Sequence, residues 1–128
     1  MNEEIIFKIE NGVGIITLNR PERLNALTYN IVQKMNDFLD KCESDNGIKC
    51  VIIEGSGEKA FCAGGDVVSL RKQVLDEGGP PTELSEKFFY DEYLLNYKIN
   101  NLKKPYIALI DGVTMGGGVG VSMHGSHI

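Results

Sequence analysis

Tryptophan is absent from this chain, and histidine is confined to positions 124 and 127. Neither histidine has a cysteine or carboxylate at ligand spacing, which argues against a metal site there. Cys42, Cys50 and Cys62 are an odd set without a Cys-x-x-Cys pair. That pattern argues against a disulfide framework or a zinc site and fits reduced thiols in a reducing compartment. No apolar run approaches the roughly 18 residues of a membrane span. The opening Met-Asn-Glu-Glu carries no basic or Arg-rich amphipathic segment, so no secretory signal or transit peptide is read in it. Basic charge is the scarcer sign, with 13 Lys plus Arg against 18 Asp plus Glu and a net charge of −5. That balance disfavours non-specific binding to nucleic acid or anionic membranes, and an anionic ligand would need a local basic site.

What is present is ordinary for one small globular domain: 128 residues, 42% hydrophobic and 24% charged. Ile5–Ile9 alternates and Val13–Leu18 is β-rich, with the hairpin signal Asn11-Gly12 between them. Arg20-Pro21-Glu22-Arg23 reads as a turn, and Thr28 as an N-cap. Ile31, Val32, Met35, Phe38, Leu39 and Cys42 recur at helical spacing, predicting an amphipathic helix over Thr28–Ser44 that Asp45-Asn46-Gly47 stops. Cys50–Ile53 reads as a short buried strand, and Gly55–Asp66 as a glycine-rich loop. Asp66 caps a helix running to about Leu75, and Gly78-Gly79-Pro80-Pro81 breaks the chain. A longer helix is predicted over Thr82–Leu102, then a strand over Tyr106–Ile110 and a turn at Asp111-Gly112. Strands alternate with helices, so the class is α/β.

Two glycine-rich stretches each follow a strand and open into a helix: Gly64-Gly65-Asp66, and Gly116, Gly117 and Gly118. Helix-start amides lack an internal partner and can donate to an anionic oxygen. Neither stretch is a Walker loop, because Gly120 to Gly125 is followed by Ser126 rather than lysine. Neither is a dinucleotide fingerprint, because Gly116 and Gly118 are followed by Val121, and Gly118 and Gly120 by Met123. From the residues alone two readings stand: a pair of amides converging on one carbonyl oxygen, or two unrelated, tightly packed helix starts. Glu92 is the other informative residue. It shares a helical stripe with Phe88, Leu95, Ile99 and Leu102, where a carboxylate needs either a polar pocket or a partner at the core's edge.

Three segments together resemble the crotonase superfamily, also called the enoyl-CoA hydratase/isomerase family. They are Ile16-Thr-Leu-Asn-Arg-Pro-Glu-Arg-Leu-Asn-Ala-Leu27, Lys59-Ala-Phe-Cys-Ala-Gly-Gly-Asp66 and Lys104-Pro-Tyr-Ile-Ala-Leu-Ile-Asp-Gly-Val-Thr-Met-Gly-Gly-Gly-Val-Gly120, in the family's order and spacing. The resemblance implies a crotonase-like (ClpP/crotonase) spiral of β-β-α repeats, with residues 1–128 its N-terminal part and the C-terminal part absent. Within the superfamily the chain is most similar to the branch that hydrolyses 3-hydroxyisobutyryl-CoA to 3-hydroxyisobutyrate and CoA in valine breakdown. The pointers are Cys-Ala-Gly-Gly-Asp, the helix Phe88-Phe-Tyr-Asp-Glu-Tyr-Leu-Leu-Asn96, and Ser122-Met-His-Gly after the glycine run.

By that resemblance the amides of Gly65 and Gly117 form an oxyanion hole for the thioester carbonyl, and Glu92 binds substrate. Asn25, Ala26, Lys59 and Ala63 lie along the CoA moiety, and Arg23 or Lys59 meets a CoA phosphate. Gly120 stands where typical hydratases carry a catalytic glutamate, which disfavours hydration. The working carboxylates of the hydrolases lie in a later Pro-Glu-Thr region, beyond residue 128, so this chain is expected to be weak or inactive. Enoyl-CoA hydratase/isomerase and non-catalytic acyl-CoA-binding fragment are the alternatives. No metal or redox cofactor is implied, coenzyme A being part of the substrate. The implied partners are an acyl-CoA and, for a part-fold with uncovered apolar surface, a second copy; nucleic acid and membrane are not among them. Relatives act in mitochondria, so the resemblance implies a mitochondrial location; with no transit peptide read in the sequence, the alternative is cytoplasmic.

Overall fold

In the computed structural model, residues 3–57, 60–62, 64, 83–110 and 113–114 are described. Strands β1 (Ile5–Glu10) and β2 (Val13–Leu18) pair antiparallel, with Glu10 opposite Val13. That register leaves a two-residue loop whose residues Asn11 and Gly12 have φ of 51° and 80°. Both values match the turn that Asn-Gly favours in hairpins. A 3-10 turn at Pro21–Arg23 leads to helix α1 (Tyr29–Ser44). Thr28 caps α1 by accepting from the Ile31 amide, and its hydroxyl donates to Glu4 Oε2 at 2.8 Å. At the far end the Lys104 ammonium donates to the carbonyls of Cys42 and Asp45, satisfying acceptors that the helix leaves open.

Strand β3 (Cys50–Gly55) then pairs parallel with β2, and β5 (Tyr106–Leu109) pairs parallel with β3. The main sheet therefore has the order β1-β2-β3-β5. The parallel pairs need crossovers, and α1 and α2 (Glu83–Asn101) stand in those connections. A second, two-stranded sheet pairs β4 (Ala60–Cys62) with β6 (Val113–Thr114) in parallel. The three-residue strand β4 corrects the glycine-rich loop expected over Gly55–Asp66. Three residues are too few for a periodic signal, and their partner lies more than 50 positions away. The helices expected after Asp66 and after the 116–118 glycines fall outside the described residues.

One face of the main sheet makes the core. Ile16 and Leu18 of β2, Val51 and Ile53 of β3, and Tyr106 and Ala108 of β5 are buried against α1 and α2. At Gly14 the sheet comes close to α1: an added Cβ would stand 3.0 Å from Cys42 Sγ and 3.4 Å from Phe38 Cζ. Burial pushes the Cys42 thiol up to about 11, so it stays neutral and fills volume. The two helices meet along a seam. Tyr29 approaches Phe88, Asn36 Nδ2 donates to the Asp91 carbonyl at 3.1 Å, and Lys98 Nζ lies 3.0 Å from Asp40. These pairings run in the same direction along both helices, so α1 and α2 pack parallel. Among the described residues no helix is long and apolar enough to cross a membrane.

Candidate functional site

The turn between β2 and α1 is held by its own polar groups. Leu24 and Asn25 adopt left-handed backbone with φ of 54° and 56°, a region that costs a leucine about 1 kcal/mol or more. Several bonds impose it: the Leu24 amide donates to the Pro21 carbonyl at 3.1 Å, and the Asn25 amide to the Arg20 carbonyl at 2.8 Å. Asn25 is 1% exposed. Its Oδ1 accepts from the Arg20 amide at 2.8 Å and its Nδ2 donates to the Ser56 carbonyl at 2.9 Å. The side chain expected along CoA is thus employed in clamping the turn to the end of β3. Ala26 is half-buried, and its carbonyl accepts from the Arg20 guanidinium at 2.8 Å. Arg23 is exposed on the turn.

The same turn reaches the first glycine loop. The Leu27 amide donates to the Gly64 carbonyl at 2.6 Å, and the Gly64 amide donates to Cys62 Sγ at 3.4 Å. Gly64 has φ +98°, which a side chain would strain. Gly55, at the end of β3, is the point of closest approach. An added Cβ there would stand 2.6 Å from the Phe61 carbonyl oxygen and 2.8 Å from Asn25 Nδ2. Three sequence-distant segments, the Asn-Ala turn, the end of β3 and the start of the Cys-Ala-Gly-Gly loop, therefore converge at one corner.

Glu92 approaches that corner from α2. It is half-buried, and no described residue donates a hydrogen bond to its carboxyl. Burial pushes its pKa up from the ordinary glutamate value. Its charge acts on Cys62, whose thiol is raised to about 11, mainly by burial. Tyr106, 1% exposed, lies behind Cys62 and is pushed far above the phenol range by burial, with the cysteine adding to it. The carboxyl is thus within electrostatic reach of Cys62, whose sulfur accepts from the Gly64 amide. Of the sequence-derived residues, the structure brings Asn25, Ala26 and Gly64 together and places Glu92 near Cys62. Gly65, Gly117, Lys59 and Ala63 lie outside the described residues.

A proton-linkage consequence follows for Glu92. Its raised pKa means that the folded chain binds the proton more tightly than the unfolded chain does. That contribution to stability is full below the unfolded pKa of about 4.3 and is lost as pH rises through the higher folded value. Glu92→Gln should match the parent in Tm near about pH 4 and exceed it near about pH 7. Thermal unfolding across that range checks it, and a constant difference would contradict the assigned burial.

Sequence reasoning did not single out Cys62, Ser56 or Arg20 as parts of this corner. Cys62 was read only as part of the Cys-Ala-Gly-Gly-Asp family motif and as a reduced thiol, with no role of its own. Ser56 acts through its carbonyl, which no side-chain pattern reveals. A separate groove along the helix seam, lined by Leu39, Glu43, Tyr97 and Leu102, lies away from Glu92 and is bridged by Lys98 and Asp40.

An α/β fold with a mixed sheet, a tightly held Asn-Ala turn and a half-buried carboxyl on α2 has known counterparts. The family model for enoyl-CoA hydratase/isomerase matches residues 13–128, and the chain belongs to that family. Among curated proteins it is similar to the mitochondrial 3-hydroxyisobutyryl-CoA hydrolase of Danio rerio, with 48% identity over 95% of this chain and 31% of that protein. The Homo sapiens protein of the same name is 45% identical over 96% of this chain, again covering 31% of its own length. The chain therefore spans about a third of these relatives. Solved structures agree on the crotonase fold. An enoyl-CoA hydratase from Rhodobacter sphaeroides superposes with TM-score 0.91 at 35% identity over 98% of this chain and 36% of the other. A carnitinyl-CoA dehydratase from Mycobacterium thermoresistibile gives 0.90 at 42% identity with the same coverages.

Proposed function

We propose that this chain is the N-terminal part of an acyl-CoA thioester hydrolase acting on 3-hydroxyisobutyryl-CoA, with residues 1–128 forming part of one enoyl-CoA hydratase/isomerase-like domain. The supporting observation is the placement of the half-buried Glu92 carboxyl within electrostatic reach of Cys62, whose sulfur accepts from the Gly64 amide. The names of the relatives support the substrate and, as mitochondrial proteins, a mitochondrial setting.

In the proposed reaction the thioester carbonyl oxygen rests on the amides of Gly65 and Gly117. Water attacks the carbonyl carbon, and the developing oxyanion is held by those two donors. The C–S bond then breaks, and CoA leaves as a thiol with the proton that water gave up. Proton removal from water needs a carboxylate, which we assign to the part of such a domain that follows residue 128. Glu92 holds the hydroxylated end of the acyl group. The chemistry calls for no metal or redox cofactor, because it only polarises a carbonyl and moves protons; coenzyme A enters as part of the substrate. Lys59, Ala63 and the backbone of Asn25 and Ala26 form the proposed CoA path.

The test is a direct comparison on the purified chain. Thiol release from 3-hydroxyisobutyryl-CoA should exceed loss of enoyl absorbance from crotonyl-CoA, and calorimetry should show acyl-CoA binding even where turnover is slow. Consumption of crotonyl-CoA without thiol release would replace hydrolysis by hydration. Absence of binding to either thioester would overturn the acyl-CoA reading itself.

A further inference from the structure

The flank of α2 that carries Glu92 carries a second polar group with an unmet requirement. Asn96 follows Glu92 by four residues, so the two side chains rise one turn apart from the same side of the helix. The other flank is occupied by α1, through Asn36 on the Asp91 carbonyl and Asp40 on Lys98. Asn96 Oδ1 is buried and has no hydrogen-bond partner among the described residues. Buried acceptors of this kind nearly always find a donor, so an orphan next to a candidate site points to a donor on the ligand. Asn36 Oδ1 also lacks a partner among the described residues, but that side chain lies in the helix seam and its amide nitrogen already serves α2.

We propose that Asn96 is a substrate-binding residue whose Oδ1 accepts a hydrogen bond from the hydroxyl of a hydroxyacyl thioester, so that it selects hydroxylated over plain acyl groups. The proposal rests on the acyl-CoA reading above and extends it to specificity. A plain acyl chain has no donor to offer at this position. A hydroxyl has one hydrogen and two lone pairs, so it can donate to Asn96 while accepting from a protonated Glu92. Burial raises the proton affinity of Glu92 and so favours that protonated form relative to an exposed glutamate. A ligand lacking the hydroxyl leaves Oδ1 buried and unsatisfied, which is how a polar site rejects an apolar analogue.

Calorimetric titration of the chain with 3-hydroxyisobutyryl-CoA and with isobutyryl-CoA tests this. The parent should prefer the hydroxylated ligand by about tenfold, and Asn96→Leu should remove that preference while leaving the affinity for isobutyryl-CoA within about twofold. An equal loss for both ligands would overturn the proposal and assign Asn96 to folding. If the parent binds neither thioester, the acyl-CoA reading fails and the proposal falls with it, an outcome distinct from binding without preference. Should Asn96→Leu not fold, the side-chain amide resonances of Asn96 in the parent decide. They should shift with the hydroxylated ligand and not with isobutyryl-CoA; the same shift with both would overturn the role.

Discussion

Gly55→Ala should lower the stability of this chain by about 3 kcal/mol, because the new methyl has nowhere to go. Its Cβ would stand 2.6 Å from the Phe61 carbonyl oxygen, 3.1 Å from the Phe61 Cα and 2.8 Å from Asn25 Nδ2. Two of these three neighbours are backbone of β4, which cannot rotate aside as a flexible side chain can. The third is an amide fixed by its bond to the Ser56 carbonyl. Relief therefore requires β3 and β4 to separate or the Asn25 clamp to open. Opening the clamp would break the bonds of Asn25 to the part-buried Arg20 amide and Ser56 carbonyl, at about 1 kcal/mol for each bond lost. Thermal unfolding should show a Tm drop of roughly 10 °C. A Tm within a degree or so of the parent would mean that the three segments do not meet as closely as described.

Gly117→Pro carries the largest expected effect on chemistry. Proline has no amide hydrogen, so the substitution deletes one of the two proposed donors to the thioester oxygen. Loss of one such donor typically lowers kcat by about 10²–10³-fold, or roughly 3–4 kcal/mol of transition-state stabilisation. The effect should fall on kcat rather than KM, since the charge it answers develops only as water attacks. The assay is thiol release from 3-hydroxyisobutyryl-CoA by parent and variant side by side, with acyl-CoA affinity measured on both. Full retention of rate would remove the proposed oxyanion role of Gly117.

Local signals located the regular elements well. Thr28 caps α1 as its residue type predicts, and the Asn11-Gly12 loop closes the first hairpin with both residues at positive φ. The helix predicted over Thr82–Leu102 is observed over Glu83–Asn101, and the strand predicted over Tyr106–Ile110 over Tyr106–Leu109. What local signals miss is whatever depends on distant pairing. β4 and β6 are short and exist through each other, so neither carries enough sequence to announce itself. The site was legible in the same uneven way. Glu92 stood out because a carboxylate on an apolar stripe is costly, and it is found half-buried with its proton affinity raised. Asn25 was legible as part of a family motif, but composition cannot tell a ligand contact from a clamp. Only the bonds from Asn25 to Arg20 and Ser56 show how that side chain is used. Cys62 was legible as a motif residue and a thiol, while its electrostatic proximity to Glu92 emerges only from the folded packing.

Gly14 and Cys42 divide a single space between sheet and helix, with the sulfur filling what a methyl on the glycine would claim. Their sizes are therefore tied as a sum rather than separately. In related chains, a bulkier residue at the strand position should travel with a slimmer one on the helix, and a two-site exchange should be gentler than either change by itself.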